Sequence, residues 1–204
     1  MSAGNHTLRI LVADDEADMR EYFQRILPLL GHVVVDAASD GAQLVALCKK
    51  LKPDLVITDI KMPDMDGIEA ASRIYQDGAV PVILVSAFHD ADFIRRAEAD
   101  HILAYLVKPI KQADLEPAIA IATRRFEQFE ALRKEAANLR QALEDRKTIE
   151  KAKGLLMKKL ALDEHDAFRR LQKLASDKNL KLVELSRMLI TAEEAFGGAA
   201  GGKS

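Results

Sequence analysis

The sequence is short of the features that mark secreted, membrane-bound or metal-stapled chains. One of its 204 residues is cysteine, Cys48. A lone thiol excludes an internal disulfide framework and a zinc site built from CxxC pairs, and it suits a reducing compartment. Long hydrophobic runs are missing. The stretch Val80–Phe88 is interrupted by Ser86 and falls far short of the roughly 20 apolar residues of a membrane helix. Met1–Thr7 is polar, without the basic-then-apolar order of a secretion signal. A cytoplasmic protein that does not enter a membrane is therefore expected. Net charge is also small, with 30 Lys+Arg against 32 Asp+Glu. What is present is an apolar fraction of 49% and a charged fraction of 30%, which rules out a chain disordered throughout. The length allows one large or two small domains.

The small net charge conceals a polarity along the chain. Residues 1–112 carry 12 basic and 17 acidic side chains, a net of −5. Residues 146–191 carry 12 and 6, a net of +6. An acidic first half and a basic last quarter point to two modules with different partners.

Over the first 110 residues, short apolar runs alternate with helical patterns. The runs are Arg9–Ala13, Val33–Ala37, Leu55–Thr58, Pro81–Val85 and Ala104–Val107. Nearly continuous apolar runs read as strands buried on both faces, as in a parallel sheet. Helices are expected over about 17–30, 41–50, 67–75 and 91–99. Five such units make a doubly wound, flavodoxin-like five-stranded parallel α/β sheet, whose ligands sit beyond the carboxyl ends of the strands.

Those carboxyl ends carry the chemistry. Asp14 and Asp15 follow the first strand, Asp59 the third, Ser86 the fourth and Lys108 the fifth. Three converging carboxylates repel one another and call for a cation, and few oxygen ligands with retained waters suit Mg²⁺. A lysine and a hydroxyl beside them can hold an added anion. The set fits phosphoryl transfer to a carboxylate, with Asp59 as nucleophile and Lys108 and Ser86 on the phosphoryl oxygens. Lys108–Pro109 is a candidate cis bond, since X–Pro bonds tolerate cis cheaply.

The segments ILVADDE (10–16), PDLVITDIKMPDMDG (53–67), VILVSA (82–87) and AYLVKP (104–109) resemble a response-regulator receiver domain, spanning about residues 7–122. The resemblance implies Asp59 as phosphoacceptor. It implies Asp14, Asp15, Asp59 and the backbone carbonyl of Lys61 as Mg²⁺ ligands, and a switch through Ser86 and Tyr105. It also implies a sensor histidine kinase as partner, and no catalysis beyond the domain's own phosphotransfer and dephosphorylation. His101 stands where the family commonly has glycine.

From Lys111 onward the strand signal ends. Residues 113–153 hold no glycine and one proline, Pro117, placed where a first helical turn tolerates it. Phe129, Leu132, Ala136, Leu139 and Leu143 follow the 3-4 spacing of a coiled coil, so 123–145 reads as a coiled-coil linker helix and the active protein as a homodimer. A compact all-α set follows over 146–196, with stripes through Ile149, Ala152, Leu156 and Leu160, through Ala167, Phe168, Leu171, Leu174 and Ala175, and through Leu182, Leu185 and Leu189. Residues 197–204 read as a disordered tail. Asp163 is expected to cap the second of these helices. Gly154, inside a helix, suggests close approach of a neighbouring helix or of an RNA backbone.

AKGLLMKKLALDEHDAFRRLQKLASDKNLKLVELSRMLI (152–190) resembles the ANTAR domain, a three-helix module of transcription antiterminators. That implies binding of RNA stem-loops in nascent transcripts. Lys153, Met157, Arg169 and Arg170 are the expected RNA contacts, and Phe168 is expected on the core stripe instead. Two further readings remain open, a DNA-binding response regulator and one whose helical end sequesters a protein. A phosphatase using the aspartate pocket would need a second carboxylate two residues after Asp59, where Lys61 stands.

Overall fold

The computed structural model describes residues 7–87 and 102–197. The helix expected over 91–99, and His101 after it, lie outside the described residues. The chain divides into two compact units, 1–131 and 132–204.

The first unit is built on β1 (Arg9–Ala13), β2 (Val33–Ala38), β3 (Leu55–Asp59), β4 (Val82–Ser86) and β5 (Ile102–Val107). They form one parallel sheet in the order β2-β1-β3-β4-β5. The order reverses at β1, which places a switch point between β1 and β3. β1, β3 and β4 are covered on both faces, which is why they read as unbroken apolar runs. On one face, α2 (Gly41–Leu51) and α3 (Gly67–Asp77) pack Leu44, Ile68, Ala71 and Ile74 against Leu11, Val56 and Leu84. On the other, α1 (Ala17–Leu29) and the start of α4 (Gln112–Leu160) pack Phe23, Leu27, Leu115 and Ile119 against Ile10, Ile57 and Ile83.

Local chemistry sets where these helices begin. Asp40 and Asp66 each accept a hydrogen bond at 2.7 Å from the backbone N–H three residues on, satisfying a free donor of the first turn. Gly67 is needed sterically, because a Cβ there would lie 2.0 Å from the Asp59 carbonyl oxygen. That contact seats α3 directly against the end of β3.

α4 is continuous through Pro117, which lies in its second turn. Leu115, Ala118, Ile119 and Ala122 face the sheet at helical spacing. Residues 131–144 are exposed throughout, Leu132, Leu139 and Leu143 included. In the second unit, the end of α4 packs with α5 (Glu164–Asp177) and α6 (Leu182–Gly197). Ala152, Leu171, Ala175 and Leu185 are the buried centre, with Ile149, Leu156, Leu174 and Leu189 around them. Asp163 caps α5, accepting from Asp166 N–H at 2.8 Å. The turn after α5 passes through Asn179 at φ 52°.

Candidate functional site

The sheet register brings the expected residues to one edge. Ala13 pairs with Thr58, Asp59 with Val85, and Ser86 with Val107. Asp14, Asp59, Ser86 and Lys108 therefore emerge at neighbouring carboxyl ends. Asp14, Asp15 and Asp59 each offer a carboxylate oxygen within 4.8 Å of the others. Asp14 is fully buried and Asp59 only 6% exposed, whereas Asp15 faces solvent.

Lys108 is the counter-ion. Its Nζ lies 3.0 Å from Asp14 Oδ2, 3.1 Å from Glu16 Oε1 and 3.6 Å from Asp59 Oδ1. The bond between Lys108 and Pro109 is cis. Burial lifts the Asp59 carboxyl to about 6, against the pull of Lys108, with Asp14 and Asp15 adding repulsion. Burial raises the Asp14 carboxyl too, although the Glu16 N–H and Lys108 oppose it. Burial acts to lower Lys108, but the carboxylates of Asp14, Asp59 and Glu16 outweigh it and leave the ammonium above its ordinary range.

Asp14 Oδ2 is buried and makes no well-formed hydrogen bond; its close contact is the charge of Lys108. A buried carboxylate oxygen faced by Lys108 alone, beside two further carboxylates, fits a hard divalent cation with oxygen ligands. Asp14, Asp15 and Asp59 are the side chains that would hold it. Lys61 follows in the loop, its side chain exposed. The Ser86 hydroxyl is half-buried at the edge and donates to the Ala87 carbonyl at 3.0 Å. Tyr105 stands on β5, 39% exposed.

Two members of this edge escaped the sequence. Glu16 shares Lys108 with Asp14, and Arg20 donates to the carbonyls of Asp14 at 2.7 Å and Asp15 at 3.0 Å. The only signal for Glu16 was its place directly after the aspartate pair. Arg20 reaches back from the first turn of α1 and fixes the backbone of both aspartates.

Several cations of the basic second unit are ion-paired within it. Arg187 pairs with Asp145 at 3.0 Å, Lys151 with Glu194 at 2.8 Å, and Lys159 with Glu193. Lys153 corrects the expectation of a phosphate-facing side chain. It is 7% exposed, and its ammonium lies 2.5 Å from Glu150 Oε2 and 2.8 Å from Glu164 Oε1. Here it braces α5 against α4, because its position on the inner flank of α4 aims it at the first turn of α5. Met157 is half-buried, while Arg169 and Arg170 are exposed on α5. Phe168 also departs from expectation. It is 37% exposed and outside the core cluster, because Ala167, Leu171 and Ala175 turn inward and leave it at the flank of the stripe. Around Gly154 a Cβ would meet nothing within 4 Å, so no helix of this unit requires the glycine.

A parallel sheet with an acidic switch-point edge and a paired lysine, followed by a helical module, is the build of a two-part signalling protein. The chain belongs to the response regulators: residues 10–120 match the response regulator receiver domain, and residues 137–190 match the ANTAR domain. It is 41% identical over 182 residues to the transcriptional regulatory protein PdtaR of Mycobacterium tuberculosis, covering 89% of each chain. It is 36% identical over 119 residues to the positive alginate biosynthesis regulatory protein of Pseudomonas aeruginosa, covering 57% of this chain and 48% of that one. Among solved structures, the signal receiver domain of the putative response regulator NarL from Mycobacterium tuberculosis aligns with TM-score 0.54 and 28% identity, over 58% of this chain and 97% of that one. Among the described residues no helix is long and apolar enough to cross a membrane.

Proposed function

We propose that this response regulator is switched on by phosphorylation of Asp59 and then binds RNA hairpins in nascent transcripts as a cytoplasmic antiterminator. The observation that carries the first half is the convergence of Asp14, Asp15 and Asp59 on Lys108 at one sheet edge. A sensor histidine kinase would be the donor. An Asp59 carboxylate oxygen attacks phosphorus, the P–O bond forms as the donor's P–N bond breaks, and the imidazole leaves with a proton. Lys108, released from part of its carboxylate load, holds a phosphoryl oxygen, and the Ser86 hydroxyl donates to another. Asp14, Asp15, Asp59 and the Lys61 carbonyl would hold Mg²⁺, which would supply charge neutralisation at the transferring oxygens. The new charge biases Ser86 and Tyr105 between two positions, and so the surface around β5.

The second half rests on the ANTAR match and on the exposed cations of α5. Arg169 and Arg170, with Met157 nearby in sequence, are the RNA contacts, while Lys153 braces the helix that carries the arginines. Exposed Leu132, Leu139 and Leu143 support a homodimer through the coil. In a parallel pair, Glu135 at g faces Arg140 of the second copy at e′, five residues on, which favours that orientation. Two linked sites on paired hairpins gain from effective concentration.

The test is labelling of the full chain by a small phosphodonor, followed by an RNA mobility shift. Mg²⁺-dependent labelling that disappears in Asp59→Asn, and an RNA shift that strengthens on labelling, are expected. Labelling that persists in Asp59→Asn overturns the phosphoacceptor assignment.

A further inference from the structure

Phenylalanine is scarce in the second unit, where Phe168 and Phe196 are its aromatic residues. A scarce aromatic normally anchors a small core. Here the core of the unit is aliphatic, built from Ala152, Leu171, Ala175 and Leu185, and Phe168 stays 37% exposed. It shares one stripe of α5 with His165, Arg169 and Gln172, at i−3, i+1 and i+4. All three are exposed.

The charges divide in the same way. Lys151, Lys153, Lys159 and Arg187 are ion-paired within the unit. Among the described residues, Arg169, Arg170 and Lys173 of α5 have no such partner. A face that only tracked a phosphate backbone would gain nothing from an exposed aromatic ring between a histidine and an arginine. An unstacked nucleobase uses all of them. It stacks on an aromatic face, a guanidinium adds a parallel plane and donors, and a glutamine amide presents donor and acceptor together to a base edge.

We propose that this stripe of α5 reads splayed loop bases, with Phe168 as the stacking platform and Arg169 and Gln172 as the edge readers. The inference rests on the RNA-binding reading above and assigns the source of its sequence preference.

The experiment uses the full chain and a pool of RNA hairpins with one fixed stem and a randomised loop. Loops recovered on the unaltered protein are then tested individually, beside the same stem closed by a non-nucleotide linker. Phe168→Leu is expected to weaken binding of the recovered loop by about tenfold, the scale of one lost stacking contact. Binding to the linker-closed stem stays unchanged, and Phe168→Trp restores the recovered loop because it restores a ring. Equal binding by Phe168→Leu, or a Phe168→Trp variant as weak as Phe168→Leu, overturns the stacking role while leaving RNA binding intact. Displacement of the loop by polyglutamate at equal charge also overturns it, showing a face that reads charge alone. A pool that binds with no loop sequence enriched also overturns it, whereas failure of the unaltered protein to bind either the pool or the linker-closed stem brings down the RNA-binding reading itself.

Discussion

Lys108 Nζ lies 3.0 Å from Asp14 Oδ2 and 3.6 Å from Asp59 Oδ1, so one ammonium serves two buried carboxylates. It also meets Glu16 at 3.1 Å. One positive charge against this acidic cluster leaves the edge short of cations, and that shortage has consequences for stability and for metal binding.

Asp59 should weaken the fold at neutral pH. Burial lifts its carboxyl from 3.8 to about 6. A carboxyl with a raised folded pKa stabilises the fold most when protonated. That stability is full below about 3.8 and lost as pH rises through about 6. Asp59→Asn removes the loss. Denaturant unfolding at pH 7.5 without divalent cations should show the variant more stable, on the order of 2 kcal/mol. The difference should shrink to a small fraction near pH 4. Equal stability at pH 7.5 would contradict the burial argument.

Mg²⁺ should substitute for the missing charge. Adding it should raise the thermal midpoint of the unaltered protein, and a chelator should reverse the rise. Asp14→Asn should reduce the shift strongly, since Asp14 is the most deeply buried of the three carboxylates. Lys108→Met removes the competing ammonium and should tighten Mg²⁺ by roughly tenfold, the scale of a screened charge contact. The same variant should label poorly. Calorimetric titration separates the two effects.

The receiver edge was legible because each of its residues follows an apolar run, and strand ends of a parallel sheet converge on one side. Arg20 and Glu16 were not, because they contribute through contacts between a helix and a neighbouring loop that no spacing encodes. The helical unit was harder still. Lys153 and Phe168 both lie at the edge of an apolar stripe, where one helical step separates core from surface. Periodicity placed Phe168 inward and Lys153 outward, whereas packing against α5 and α4 did the opposite.

Lys153 should act on RNA through position and not through charge. The hydrogen bonds of Glu150 and Glu164 hold its ammonium above the ordinary range, and the same contact lowers Glu164. The ion pair therefore stabilises the unit above the ordinary carboxylate range of 4.5, and this is lost as pH falls through the lowered value of Glu164. It is likewise lost as pH rises through the raised value of Lys153. Lys153→Met should flatten the acid limb of stability for the second unit. RNA affinity should fall with the slope against salt unchanged. A slope smaller by about 0.7–0.9 would instead mark a direct phosphate contact.

Leu139 should decide oligomeric state. It is 60% exposed on the coil stripe between Leu132 and Leu143. Leu139→Glu should leave the labelled protein monomeric in sedimentation. Glu135→Arg should weaken the dimer by opposing Arg140 of the second copy, and adding Arg140→Glu should restore it. An unaltered protein that stays monomeric at high micromolar concentration after labelling would count against the coil.

Gly154 should give two effects of opposite sign. It lies inside α4, and a Cβ there would meet nothing. Helix propensity alone makes Gly154→Ala more stable by up to about 1 kcal/mol. The unit's own packing gives no reason to keep the glycine. Lys151, at i−3 on the same stripe, is held by Glu194, whereas Lys158, at i+4, is exposed and has no ion pair among the described residues. A backbone drawn to Lys158 passes over the bare helix surface at Gly154, and a methyl group there holds it off. Gly154→Ala should therefore raise the thermal midpoint of the second unit while lowering RNA affinity. A more stable variant with undiminished affinity would remove close approach of RNA as the reason for the glycine.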